Sequence, residues 1–150
     1  MSKQLLAIDL DETLGATLTD GRAMTGFQLR KGCIELLHEL KSDYRLALWS
    51  VGNRSYVDKA LKYARLKRFF SVSYSWDELA VSWKDIRLIG AACLIDNSEH
   101  HYEEARQHGL EENYIIVPSF GSATDVRDPL KWVQVIRTGL SQCRSQATLL

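Results

Sequence analysis

Residues 5–18 read LLAIDLDETLGATL, an apolar run that meets two aspartates, Asp9 and Asp11, at its end. A strand that stops this way puts two carboxylates in one turn, where each raises the pKa of the other unless a cation or a shared proton intervenes. Paired aspartates also cap helices and close turns, so the spacing alone leaves a structural role open. What decides between the readings is what the rest of the chain brings to the same place.

Three further short apolar runs follow: YRLALWSV (44–51), AACLIDNS (91–98) and YIIVPSF (114–120). Each is nearly continuous, as expected of strands buried on both faces of a parallel sheet. Between them lie segments with helical periodicity. RKGCIELLHELK (30–41) sets Ile34, Leu37 and Leu40 or Leu36 on one face, and RSYVDKALKYARLKRFF (54–70) does the same with Val57, Leu61, Ala64 and Phe69. HHYEEARQHGL (100–110) and a stretch from Pro129 to about Cys143 complete the set, the latter with proline near a helix start. This alternation predicts an α/β fold, an open and mainly parallel Rossmann-like sheet with helices on both faces. In such sheets ligands collect at the carboxyl ends of the strands. Asp9 and Asp11 end the first run, Ser50 the second, and Asp96 with Asn97 the third, so residues remote in sequence are expected to converge on one edge.

At 150 residues the chain suits one domain, expected to span 1–150 with a tail at about 144–150. Nineteen basic residues balance nineteen acidic ones, and composition is ordinary for a globular protein, which gives no support to a general nucleic-acid or anionic-membrane binder. The apolar run in MSKQLLAIDL is too short for a signal peptide or a membrane span, so a cytoplasmic location is expected. Cys33, Cys93 and Cys143 are odd in number, widely spaced and without metal-type spacing, so they are read as reduced, buried thiols.

Asp9 and Asp96, two carboxylates from separate strands, suit a hard cation such as Mg²⁺. With the cation bound, Asp9 can stay ionised beside a phosphate dianion and attack phosphorus. Asp11, off the metal through its side chain, can keep a proton for the leaving oxygen and later take one from water. Ser50 supplies a donor for phosphoryl oxygens, and Lys84 in VSWKDIRLIG is chosen as the positive partner because its loop precedes the Asp96 strand.

DLDETL (9–14), the serine after LALW, WKDI (83–86) and LIDNS (94–98), in this order, resemble the four motifs of the haloacid dehalogenase superfamily of phosphotransferases. The details are similar to its NLI-interacting-factor-like branch, which includes small phosphatases acting on the C-terminal domain of RNA polymerase II. The resemblance implies Asp9 as nucleophile and Mg²⁺ ligand, and Asp11 as acid/base and a ligand through its backbone carbonyl. Asp96 becomes the third protein ligand, Ser50 and Lys84 the phosphate binders, Thr13 a brace for the loop, and Asn97 a support for the water on the metal. The chain departs from the branch at Lys31, at WSVGN (49–53) and at Glu99, and these changes bear on substrate choice more than on chemistry.

The segment GATLTDGRAMTGFQL (15–29), with Asp20-Gly21 between alternating stretches, predicts a hairpin flap over about 15–28 in place of a cap domain. An open site suits a phosphate presented on a protein or peptide. The expected function is therefore Mg²⁺-dependent hydrolysis of phosphoprotein (Ser/Thr or Tyr) through an aspartyl-phosphate. Two alternatives stay open: a nucleotide or polynucleotide-end phosphatase, and a phosphate-binding module without turnover. His100 and His101 at a helix start are read as exposed, and Trp49 as core. Trp76 and Trp83 are read as either core or groove, and Lys59, Lys62, Lys67 and Arg68 as a solvated face.

Overall fold

The computed structural model describes the backbone of residues 2–149 and the side chains of residues 2–143. The four apolar runs form β1 (Gln4–Ile8), β4 (Tyr44–Trp49), β6 (Ala91–Asp96) and β7 (Tyr114–Ile116), and Val72–Tyr74 adds β5. These five make one parallel sheet in the order β5-β4-β1-β6-β7. The chain builds outward from β1 to one edge, then returns to the other side of β1. Strand order therefore reverses at β1, and its carboxyl end is the crevice that Asp9 and Asp11 enter.

Alternation along β1 assigns the helices to faces. Leu6 and Ile8 point into a core completed by α1 (Cys33–Asp43), α2 (Arg54–Ala64) and α5 (Lys131–Leu149). Leu5 and Ala7 point into a second core with α3 (Glu99–Gln107) and the 3₁₀ turn Ile86–Leu88. Helices thus cover both faces, as the pattern of elements requires. On α1 the buried set is Cys33, Leu36, Leu37 and Leu40, with Ile34 at the margin. Trp49 is fully buried, Trp76 is exposed, and Trp83 packs half-buried against the second core.

Three sequence expectations need correction. The helix begun at Arg54 stops at Ala64, because Arg65 turns left-handed (φ 57°) and its N–H closes the end on Leu61 and Lys62; Phe69 reaches the core from a separate 3₁₀ turn, Lys67–Phe69. Cys93 and Cys143 are joined in a disulfide between β6 and α5, leaving Cys33 as the buried free thiol. Fifty residues separate that pair in sequence, and only the packing of the last helix on the sheet brings them together. His101, expected outside, is buried. A further short helix, α4 (Ala123–Arg127), has no counterpart in the sequence reading. The expected tail at about 144–150 falls where side chains lie outside the described residues, although the helical backbone runs to Leu149.

Between β1 and α1 the chain forms an antiparallel hairpin, β2 (Gly15–Thr19) and β3 (Met24–Leu29). Its tip is a loop of four residues, in which Asp20 Oδ1 accepts the N–H groups of Arg22 and Ala23 and Gly21 takes φ 93°. Gly15 lies at the base because a Cβ there would sit 2.0 Å from the Gln28 carbonyl oxygen. Among the described residues no helix is long and apolar enough to cross a membrane.

Candidate active site

Beyond Ile8 the chain leaves the sheet but stays tied to it, since the Asp9 N–H donates to the Ile95 carbonyl at 2.9 Å. Asp9 is thereby set beside Asp96, the last residue of β6. Lys84, from the loop before that strand, joins them: its Nζ lies 2.9 Å from Asp9 Oδ1 and 2.7 Å from Asp96 Oδ2. All three are buried, Lys84 to 1% exposure. The other oxygens are also engaged. Asp9 Oδ2 accepts from Thr13 Oγ1 at 2.9 Å, and Asp96 Oδ1 accepts the Ser98 N–H at 2.9 Å. With the Asn97 amide oriented to satisfy both its ends, its nitrogen donates to Asp9 Oδ2 (2.9 Å), Thr13 Oγ1 (3.1 Å) and the Asp11 carbonyl (3.2 Å), and its oxygen accepts from Ser119.

Asp11 is two residues from Asp9, yet its side chain belongs to a different environment. Tyr56, on α2, donates its hydroxyl to Asp11 Oδ1 and lies 3.4 Å from Thr17 of the flap. Directly after Asp11, Glu12 takes the left-handed conformation (φ 65°) and turns the backbone so that its N–H meets the Gly15 carbonyl. Ser50 ends β4 on the same edge, buried, with its Oγ accepting the Gly52 N–H at 3.0 Å. The structure therefore gathers Asp9, Thr13, Lys84, Asp96 and Asn97 into one bonded cluster. It sets Asp11 and Ser50 at the same strand ends without direct hydrogen bonds to the Asp9–Lys84–Asp96 trio.

Charge in the cluster does not balance. Burial pushes Asp9 up to about 6 and the Asp96 charge adds to this, while Lys84 opposes both. Burial works against the Lys84 ammonium, but the two carboxylates outweigh it and its pKa rises. Two buried carboxylates thus face one ammonium, a deficit of one positive charge. Asp11 is likewise raised by burial, against the lowering effect of the Tyr56 hydrogen bond.

Several contributors were not legible in sequence. His101 Nδ1 accepts the Lys84 N–H at 3.0 Å, and Tyr114 donates its hydroxyl to the Lys84 carbonyl at 2.7 Å. Arg30, buried at the base of the flap, donates to the Thr13 carbonyl (3.2 Å) and to Asp125 of α4 (3.1 Å), so it ties the Asp11–Thr13 turn to the far side of the crevice. Histidine at a helix start and arginine after a strand carry no local pattern that would have marked them.

A parallel sheet with an aspartate pair at the switch point, a lysine bridging to a second carboxylate, and a serine on the neighbouring strand end define a haloacid dehalogenase-type phosphatase. The fold agrees with solved structures. An Fcp1 structure, described as an essential RNA polymerase II CTD phosphatase, superposes with a TM-score of 0.60 at 16% identity, over 98% of this chain and 53% of that one. Fission yeast Fcp1 bound to beryllium fluoride gives 0.56 at 13%, over 98% and 55%. A haloacid dehalogenase-like hydrolase from Streptococcus pneumoniae gives 0.61 at 15%, over 91% and 98%. The chain spans about half the length of the Fcp1 structures. No individual curated protein matches it by sequence. The family model for NLI interacting factor-like phosphatases matches residues 4–145, and the chain belongs to that family.

Proposed function

We propose that this phosphatase hydrolyses phosphomonoesters on proteins by double displacement at Asp9, with Mg²⁺. The observation that carries the reading is the buried Asp9–Lys84–Asp96 cluster with Asp11 held apart on Tyr56. Among the described residues no group of three or more His, Cys, Asp or Glu side chains is placed to hold a metal ion, so backbone oxygen and water are the further ligands such a metal would take. The donors present fit a hard cation: carboxylate oxygens of Asp9 and Asp96, the Asp11 carbonyl, and one unbalanced negative charge. Mg²⁺ held by these three would offset repulsion between Asp9 and a phosphate dianion.

The protein's own groups divide the remaining work. Thr13 and Asn97 fix Asp9 through Oδ2, so that its carboxylate is aimed when it forms a bond to phosphorus. As the ester P–O bond breaks, Asp11 gives its proton to the leaving oxygen; its raised pKa keeps that proton available. Asp11 then removes a proton from water, which attacks phosphorus, releases phosphate and restores Asp9. Lys84 and Ser50 donate to the equatorial oxygens.

The phosphoprotein class is supported by the covering of the crevice. Among the described residues only the hairpin stands over the first motif, and between β4 and Lys84 there are only α2, a 3₁₀ turn and β5. A small ester gains little remote binding energy at such a site, whereas a peptide crossing Leu18–Met24 and Trp76 can be oriented by contacts away from phosphorus. Fcp1, described as a CTD phosphatase, acts on a protein segment, which agrees with this class. The test is hydrolysis of a phosphopeptide panel against free phosphoamino acids and nucleotides, with and without Mg²⁺. Phosphopeptides are expected to exceed free phosphoamino acids in kcat/KM by ~10-fold or more, an advantage that shortening the flap removes. Equal turnover of nucleotides, or of phosphoamino acids, contradicts the protein-substrate reading and leaves the aspartate chemistry standing.

A further inference from the structure

Lys84 lies in neither a helix nor a strand, although its ammonium has to meet two carboxylates within hydrogen-bond distance. A loop has no ladder of its own to fix a backbone so closely. Here two buried side chains from other elements do so. His101, on α3, accepts the Lys84 N–H through Nδ1 at 3.0 Å. Tyr114, at the start of β7, donates its hydroxyl to the Lys84 carbonyl at 2.7 Å and accepts the Ile86 N–H at 2.9 Å.

We propose that His101 and Tyr114 are positioning residues which clamp the Lys84 backbone from both sides and so set the geometry of the phosphate-binding ammonium; this rests on reading Lys84 as a phosphate ligand. Both belong to elements that flank the end of β6. Tyr114 is paired across the sheet with Leu94, and α3 begins three residues after Asp96. The clamp therefore references Lys84 to the strand that carries its second carboxylate. Its neighbours reinforce the same loop. His100 Nε2 meets the Ser82 carbonyl at 2.8 Å, and the His108 ring stacks on Trp83 with centroids 5.1 Å apart. Three of the chain's four histidines thus hold residues 82–84. Burial and the Lys84 charge hold His101 down to about 4, which keeps Nδ1 an acceptor at neutral pH.

A clamp acting through Lys84 is separated from a merely structural role by comparing phosphate affinity with stability. The probe is inorganic phosphate as a competitive inhibitor of aryl phosphate hydrolysis. The variants are His101→Leu, His101→Asn, Tyr114→Phe, Lys84→Ala and the Lys84→Ala/His101→Leu pair, each also scored by thermal unfolding. His101→Leu and Tyr114→Phe are expected to weaken phosphate binding by about tenfold. His101→Asn, whose side-chain oxygen can accept the same N–H, recovers most of that loss, and His101→Leu adds nothing once Lys84 is Ala. Unchanged phosphate affinity in His101→Leu and Tyr114→Phe, with affinity lost in Lys84→Ala, overturns the clamp. Losses that add in the double variant overturn it as well. Unchanged affinity in Lys84→Ala overturns the reading of Lys84 itself. If His101→Leu fails to fold, Tyr114→Phe and His101→Asn carry the same comparison.

Discussion

Asp9 and Asp11 are the same side chain two residues apart, and their surroundings differ. Asp9 is locked between Lys84 on one oxygen and Thr13 with Asn97 on the other, whereas Asp11 faces a phenol. If Asp11 supplies the proton to the leaving group, Asp11→Asn slows hydrolysis of an alkyl phosphate far more than that of an aryl phosphate, because a phenolate departs with little help. Steady-state rates on the two esters decide this, and equal losses would make Asp11 structural. Glu12, immediately after Asp11, closes the turn by adopting φ 65°. Glu12→Gly keeps that conformation without a Cβ and is expected to change stability by less than about 1 kcal/mol. Glu12→Val is expected to cost roughly 1–3 kcal/mol, since a β-branched residue tolerates the left-handed region poorly. Denaturant unfolding of the two variants measures the difference.

At the scale of elements, α2 does more than cover the sheet. Its Tyr56 reaches Asp11, and its first residue, Arg54, ties the helix to the segment after β5 through Glu78 Oε1 at 2.7 Å. The Arg54 hydrogen bond, then that of Ser75, holds the Glu78 carboxyl down to about 2 from its usual 4.5. A carboxyl depressed in the folded state adds stability above its unfolded pKa and loses it as pH falls toward its folded one. The melting-temperature advantage of the native chain over Glu78→Gln is therefore expected in full above about pH 5 and to shrink steadily below about pH 4.5. Melting curves across that range check it; a difference that grows in acid contradicts the assignment. The end of α2 shows where sequence reading stops short. Apolar spacing carried on past Ala64 to Phe69, because period alone does not register that Arg65 closes the helix in a left-handed turn while Phe69 still reaches the core.

Across the whole molecule, the fold was legible because four apolar strands and their intervening helices leave repeating marks in the chain. The edge where residues gather then followed from the strand-end rule. Asp9, Asp96 and Asn97 were legible for that reason, whereas the bracing role of Thr13 came only with the family resemblance. Lys84 was harder, being one lysine in a loop, and the groups that hold it were invisible: His101 and Tyr114 act through backbone contacts that no spacing encodes. The Cys93–Cys143 disulfide was missed because it depends on how the last helix packs on β6. The covalent step proposed at Asp9 lies at the switch point of the sheet. The measurement that tests it most directly is acid quenching of the Asp11→Asn variant during turnover of an aryl phosphate with Mg²⁺, followed by mass spectrometry of its peptides. Slow water attack in that variant should let one phosphoryl group accumulate on Asp9 and be removed by neutral hydroxylamine, as an acyl phosphate is. Continued turnover with no acyl phosphate, or a phosphoryl group on Ser50 or any residue other than Asp9, would contradict it.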